Sequence, residues 1–202
     1  MRTKIMAAAL CLAATSAHAD LYGGIGLSYN RLLGSLWQGQ TDTAFDQAAM
    51  AQGNSASEVW DTKNSAAVGG RAFFGNRIRN TAIEVGYTLH GTFKSDTSNR
   101  YGYGVGTYYA HSFDLSALHY MGRWFVRGGV HSTYSEVSNH TWVGNTERTA
   151  STGVRSSGPL LGVGYQYGAL RFEFTRYFGV GLTDVTGKHS IDSLGVSLTR
   201  RF

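Results

Sequence analysis

In the C-terminal half of this chain, hydrophobic residues recur at every second position, and the residues between them are charged, polar or glycine. The stretch from 170 to 175 is the clearest case, with Leu170, Phe172 and Phe174 on one face and Arg171, Glu173 and Thr175 on the other. A period of two belongs to a β-strand whose two faces meet different surroundings. The same alternation sets Ile83, Val85, Tyr87 and Leu89 against Ala82, Glu84, Gly86 and Thr88. It also sets Trp124, Val126, Val130 and Tyr134 against Arg123, Arg127, Gly129 and His131. Further on, Leu161, Val163, Tyr165 and Tyr167 oppose Gly162, Gly164 and Gln166, and Leu194, Val196 and Leu198 oppose Gly195, Ser197 and Thr199. Weaker patterns at 21–29, 66–75 and 103–115 bring the number of strands to eight.

These strands are joined alternately by short and long connections. Segments 76–80, 118–122 and 168–169 read as tight turns, whereas 30–64, 94–100, 137–156 and 181–190 are longer and polar. Eight strands with this rhythm, apolar on the outside, close as an antiparallel up-and-down transmembrane β-barrel with its short turns on the periplasmic side. Composition agrees. Glycine makes up 27 of 202 residues, about twice the usual ~7% share, while proline occurs once and aromatics reach 13%. Aromatic girdles and inward glycines account for that combination. A mean hydropathy of −0.20 is no obstacle, because only alternate residues of a barrel strand face lipid.

The beginning of the chain reads as an export signal. Arg2 and Lys4 precede an apolar run from Ile5 to Ala14, and Ala17-His18-Ala19 offers the small residues of a cleavage site. The run is roughly half the ~20 residues of a membrane-spanning helix, so 1–19 is expected to be removed, leaving 20–202 as a single domain. Removal takes away Cys11, the one cysteine, and with it disulfides, thiolate catalysis and cysteine-ligated metals. A formal charge of +5, or about +3 without the signal, is too mild to indicate nucleic acid. Outer-membrane lipid and lipopolysaccharide are the more fitting electrostatic neighbours.

Leu161-Gly-Val-Gly-Tyr-Gln-Tyr, Leu170-Arg-Phe-Glu-Phe-Thr-Arg-Tyr-Phe and the segment from Ile191 to Phe202 together resemble the last three strands of the OmpA-like outer-membrane β-barrel family. Arg127-Gly128-Gly129 resembles that family's fifth strand. The resemblance implies a Gram-negative outer-membrane location and a structural or adhesive role. It also implies that the aromatic end, Phe202, is read by the barrel-assembly machinery. Arg200 stands where the family usually carries an apolar residue.

If the alternation holds, Arg71, Glu84, Arg127, Arg171 and Glu173 all enter the narrow lumen of an eight-stranded barrel, where they must pair. A salt-bridged plug is expected, with a narrow gated ion path as the alternative. Catalysis finds less support. His131 with Ser132, Ser135 and Glu136 is the best candidate for a lipid A-modifying enzyme, but His131 and Ser132 point to opposite faces of a strand. His131-Ser132-Thr133-Tyr134 also lacks the His-x-Ser-Asn order of the barrel deacylases. His111-Ser112 and His189-Ser190 fare no better, no metal-ligand spacing is present, and Gly102-Tyr-Gly-Val-Gly106 has no helix behind it to bind phosphate. No catalytic residue, metal or cofactor is therefore expected. The exposed aromatics Trp37, Phe45 and Trp60 of the first long connection and Trp142 of the third are candidate contacts for a host or surface ligand.

Overall fold

The computed structural model describes residues 20–33, 61–62, 66–99, 102–143, 146–181 and 189–202. Among them there is no helix, and nine strands follow one another in chain order. β1 (Asp20–Leu33), β3 (Ala66–Ile78), β4 (Thr81–Asn99), β5 (Gly102–Met121), β6 (Trp124–Val143), β7 (Thr146–Tyr167), β8 (Leu170–Val180) and β9 (His189–Arg201) form the wall. β2 (Asp61–Thr62) is a two-residue strand on the rim that pairs with Thr97 and Ser98. Each wall strand is antiparallel to its neighbour in sequence, and β1 pairs with β9 from Tyr22–Arg201 to Leu33–Ser190, which closes the barrel.

Inside and outside follow the alternation read from the sequence. Ile25, Leu27, Val85, Val126, Val130, Leu161, Val163, Phe172, Phe174, Leu194, Val196 and Leu198 all lie on the outer wall. Glu84, Asp114, Arg127, His131 and Arg171 are buried in the lumen. The core of this protein is thus polar in the middle of the barrel. It is capped by two apolar clusters, one of Tyr22, Phe73, Ala82, Leu118, Tyr120 and Phe125 and the other built around Phe93, Tyr108, Leu160, Tyr177, Val180 and Ile191. Aromatic groups mark both borders of the outer belt: Tyr87, His111, Phe113 and Tyr134 pack at one, and Trp124 and Tyr165 at the other.

Several connections differ from the sequence reading. The tight turns are Arg79–Asn80, Gly122–Arg123 and Gly168–Ala169, so Arg123 stands in a turn at the barrel end, exposed rather than inward. The connection expected at 94–100 is mostly strand, since β4 runs to Asn99 and β5 begins at Gly102. The connection expected at 137–156 is a β-hairpin, paired without a break from Trp124–Tyr165 to Val143–Thr146. Trp142 consequently lies on β6, with His140 stacked 6.0 Å away, and is not a loop residue. β1 extends to Leu33, past the expected loop start. Trp37, Phe45 and Trp60, like residues 1–19, which the sequence leads one to expect as an export signal, lie outside the described residues.

The wall is lopsided. β4 to β7 have 19, 20, 20 and 22 residues, while β8, β9, β1 and β3 have 11, 13, 14 and 13. A membrane-crossing strand needs about 9–11 residues. At ~3.3 Å per residue, twenty residues extend about 65 Å, so half of the four-stranded sheet stands clear of the belt on the side away from the tight turns. The only proline, Pro159, sits one residue beyond the last β7–β8 pair, where a missing N–H is tolerated.

Candidate functional site

Six charged side chains from five strands meet at the centre of the lumen: Arg71 (β3), Glu84 (β4), Asp114 (β5), Arg127 (β6), and Arg171 and Glu173 (β8). Arg127 donates to Asp114, to Glu173 at 2.5 Å and through Nε to Ser116 Oγ at 2.9 Å. Arg171 donates to Glu84 and, at 2.5 Å, to Glu173. Arg71 reaches all three carboxylates, at 3.3 Å from Glu84, 3.4 Å from Asp114 and 3.6 Å from Glu173. Tyr22 adds a hydroxyl to Glu84 at 2.7 Å, and Thr175 another to Glu173 at 2.6 Å. The Arg171 guanidinium lies over the Phe125 and Phe73 rings, 4.4 and 4.8 Å from their centres.

With three cations against three anions, the cluster is neutral. Bringing any of these charges out of water costs several kcal/mol, recovered only when each has partners of opposite sign and good geometry. The backbone provides the room. Opposite Arg71, Glu84, Asp114 and Arg127 across the ladder stand Gly26, Gly75, Gly86 and Gly162, and Glu173 lies between Gly164 and Gly195. A Cβ at Gly86 would come within 2.8 Å of both the Asp114 carboxylate and Arg71 Nη2. The inward glycines are therefore the space into which the guanidinium and carboxylate groups fold. A cavity of about 30 Å³ beside Arg71, Glu173 and Thr175 has room for about two waters and no larger ligand.

A second polar group lies between the charges and the apolar cap. His90 Nε2 is 2.7 Å from Ser112 Oγ, which is 2.6 Å from Thr133 Oγ1, itself 2.8 Å from His131 Nδ1. His131 Nε2 contacts the carbonyl of Phe178 at 2.7 Å. A carbonyl only accepts, so Nε2 is the donor, and an uncharged His131 then accepts through Nδ1. The chain of donors runs from His90 to Ser112 to Thr133 to His131. In that direction His90 gives its proton to Ser112 and does not serve as its base.

The five lumen charges named from sequence lie together in the structure, which adds Asp114 and Tyr22 to them and His90 to the second polar group. Asp114 lies in a strand whose pattern is faint, yet Phe113 and Leu115 set its phase and put Asp114 inward. Tyr22 is isolated among glycines, and His90 adjoins a bulge at Leu89–Gly91 that reverses the inward parity beyond it. The set suggested for catalysis does not assemble. Ser132 faces outward, Ser135 bonds to Tyr108 at 2.7 Å, and Glu136 lies outside, accepting from Ser151 at 3.2 Å. His111 packs among outer-wall aromatics while Ser112 points inward. The His189 side chain falls outside the described set. Among the described residues, no cluster of His, Cys, Asp and Glu could hold a metal. Phe202 donates its amide to Leu21 O at 2.9 Å and stacks on Phe74 at 6.4 Å.

No family model matches the chain, and no curated protein matches its sequence. Solved structures do. Ail, the attachment invasion locus protein of Yersinia pestis, aligns over 91% of this chain and 99% of its own, with 9% identity and a TM-score of 0.54. Neisserial surface protein A aligns over 89% of this chain and 97% of its own, with 16% identity and a TM-score of 0.42. The P. putida toluene transporter TodX aligns over 94% of this chain and 67% of its own, with 13% identity and a TM-score of 0.23. At 9% identity the likeness to Ail is one of fold.

Proposed function

We propose that the chain is a non-catalytic barrel of the Gram-negative outer membrane that presents a projecting β-sheet to a partner outside the cell, in a structural and adhesive role. The observation that carries the reading is the free edge of that sheet. Beyond Leu160 the upper part of β7 pairs with β6 on one side and, among the described residues, with no strand on the other. An unpaired strand edge is a row of open N–H and C=O groups on which an extended peptide can add. Glu136, Glu147, Thr149, Ser151 and Arg155 line this hairpin as exposed polar side chains, so it is suited to water and to a polar partner.

The apolar outer wall supports the membrane location, since a continuous belt of exposed large hydrophobics on a soluble protein would far exceed the usual patch of a few hundred Å². Lipopolysaccharide and outer-membrane lipid are then its immediate neighbours, and the barrel-assembly machinery its route into the membrane, with Phe202 as the signal. Absence of catalysis fits the donor direction at Ser112 and the burial of the whole chain of hydroxyls and imidazoles. A lumen filled by paired charges and capped at both ends favours a closed plug over an ion path.

Shortening the hairpin by replacing 138–151 with a tight turn tests the adhesive role. Cells displaying the shortened barrel are expected to lose most of their binding to host-cell or matrix surfaces, while the barrel keeps its heat-modifiable migration on gels. Full binding by the shortened form would refute the reading.

A further inference from the structure

We propose that the tight-turn end of the barrel is a collar for the anionic headgroups of inner-leaflet phospholipids, with Arg123 as its best-formed contact. The inference rests on the membrane-spanning reading, which places this end on the periplasmic side. Five arginines surround it: Arg77 on β3, Arg79 in the β3–β4 turn, Arg123 in the β5–β6 turn, and Arg200 and Arg201 at the end of β9. The carboxylate side chain at this rim is Asp20, 3.7 Å from Arg201. Among the described residues, no carboxylate pairs with Arg79, Arg123 or Arg200. Arg77 is committed elsewhere, lying over the Tyr120 ring at 3.9 Å and donating to Arg79 O at 3.0 Å.

Arg123 is held in place by the aromatic border. Its Nη1 donates to the Tyr165 hydroxyl at 3.3 Å, and its guanidinium sits 4.8 Å from the centre of the Tyr167 ring. Trp124 packs edge-on against Tyr165, with ring centres 5.1 Å apart. Trp124 and Tyr167 are more than half exposed on the outer wall, where a headgroup region begins. A guanidinium fixed in this way keeps further N–H donors for the two oxygens of a phosphate, which it matches as a fork. Arg200 belongs to the same scheme. It continues the outward series Leu194, Val196, Leu198 on β9 and stands one step past the belt, where the lipid changes from chain to headgroup. Arg79 occupies a third corner, exposed in its turn.

These three positions divide the rim so that several lipids are contacted at once. An arginine beside an anionic leaflet enriches negative lipid by roughly fivefold, and because the three contact separate lipids, a preference of about fivefold is expected among the lipids that each one holds. The test uses the full chain folded into phosphatidylcholine vesicles that contain a minor share of phosphatidylglycerol. Lipids that stay bound after gentle detergent extraction are counted by native mass spectrometry. Phosphatidylglycerol is expected to be retained about fivefold over its share in the vesicles. In R79Q/R123Q/R200Q that preference should fall close to one, and in R31Q/K94Q/R155Q, at the opposite rim, it should persist. No preference in the unaltered protein, or equal loss in both triple variants, would overturn the collar. Heat-modifiable migration is checked in every sample. A chain that fails to enter the vesicles would refute the membrane reading itself, and the collar with it.

Discussion

Replacing Arg127 with methionine is expected to cost the barrel about 3–5 kcal/mol, the usual consequence of leaving a buried charge without its partner. Arg127 is buried and serves Asp114, Glu173 and Ser116 together. Without it the lumen carries two cations against three anions, and Asp114 retains only Arg71, at 3.4 Å. With a urea slope of ~1–3 kcal/mol per molar, the unfolding midpoint in lipid vesicles should fall by one molar or more. Removing the anion as well, in R127M/D114L, restores neutrality and should recover most of the loss. Arg176 and Asp192 provide the contrast. Their two-pronged contact at 2.6 and 2.7 Å is on the outer wall, apart from the lumen cluster, so R176M leaves the lumen charges balanced and should shift the unfolding midpoint far less than R127M does. Equal stability of R127M and the unaltered protein would mean that the charges do not act as one neutral cluster.

Val130→Arg should be nearly as damaging, for a reason that has nothing to do with the lumen. Val130 is on the outer wall of β6, flanked in the ladder by Leu115 and by Pro159, between the border residues Trp124 and Tyr134 and so near the middle of the apolar belt. An arginine facing lipid near the bilayer middle costs about 2–4 kcal/mol, falling toward zero at the borders. Folding yield into vesicles should drop accordingly. Ser151→Arg, on the projecting hairpin, is just as exposed but surrounded by water, and should stay within about 0.5 kcal/mol of the parent. If the outer wall faced water, Val130→Arg would be as harmless as Ser151→Arg.

Legibility in the sequence followed the solvent on each side of the wall. Where a strand separates lipid from a polar lumen, its faces must differ, and β8 and β9 declare inside and outside residue by residue. The five lumen charges were named on that basis, and they meet. Past the belt both faces of a strand meet water, the period of two fades, and the upper halves of β6 and β7 look like polar loop although they are paired to the hairpin tip. The bulge at Leu89–Gly91 conceals another part, because it shifts parity by one so that Phe93 points inward after His90. Tyr22 is hidden by the glycines beside it, and the hydroxyl chain through Ser112 and Thr133 by the absence of any pattern among short polar residues inside a barrel. Arg123 is inward only if the β6 alternation is carried one residue too far, into the turn.

The most direct test of a lipid-facing wall around a polar lumen is the accessibility of spin labels along β8 in vesicles. Single cysteines are placed in turn from position 170 to 175 in a Cys11→Ser background, and each label is exposed to oxygen, which concentrates in lipid, and to a water-soluble nickel chelate. Labels at 170, 172 and 174 should be relaxed strongly by oxygen and weakly by nickel, while those at 171, 173 and 175 are shielded from both. Equal nickel access at 170, 172 and 174, or no alternation along the strand, would contradict the account.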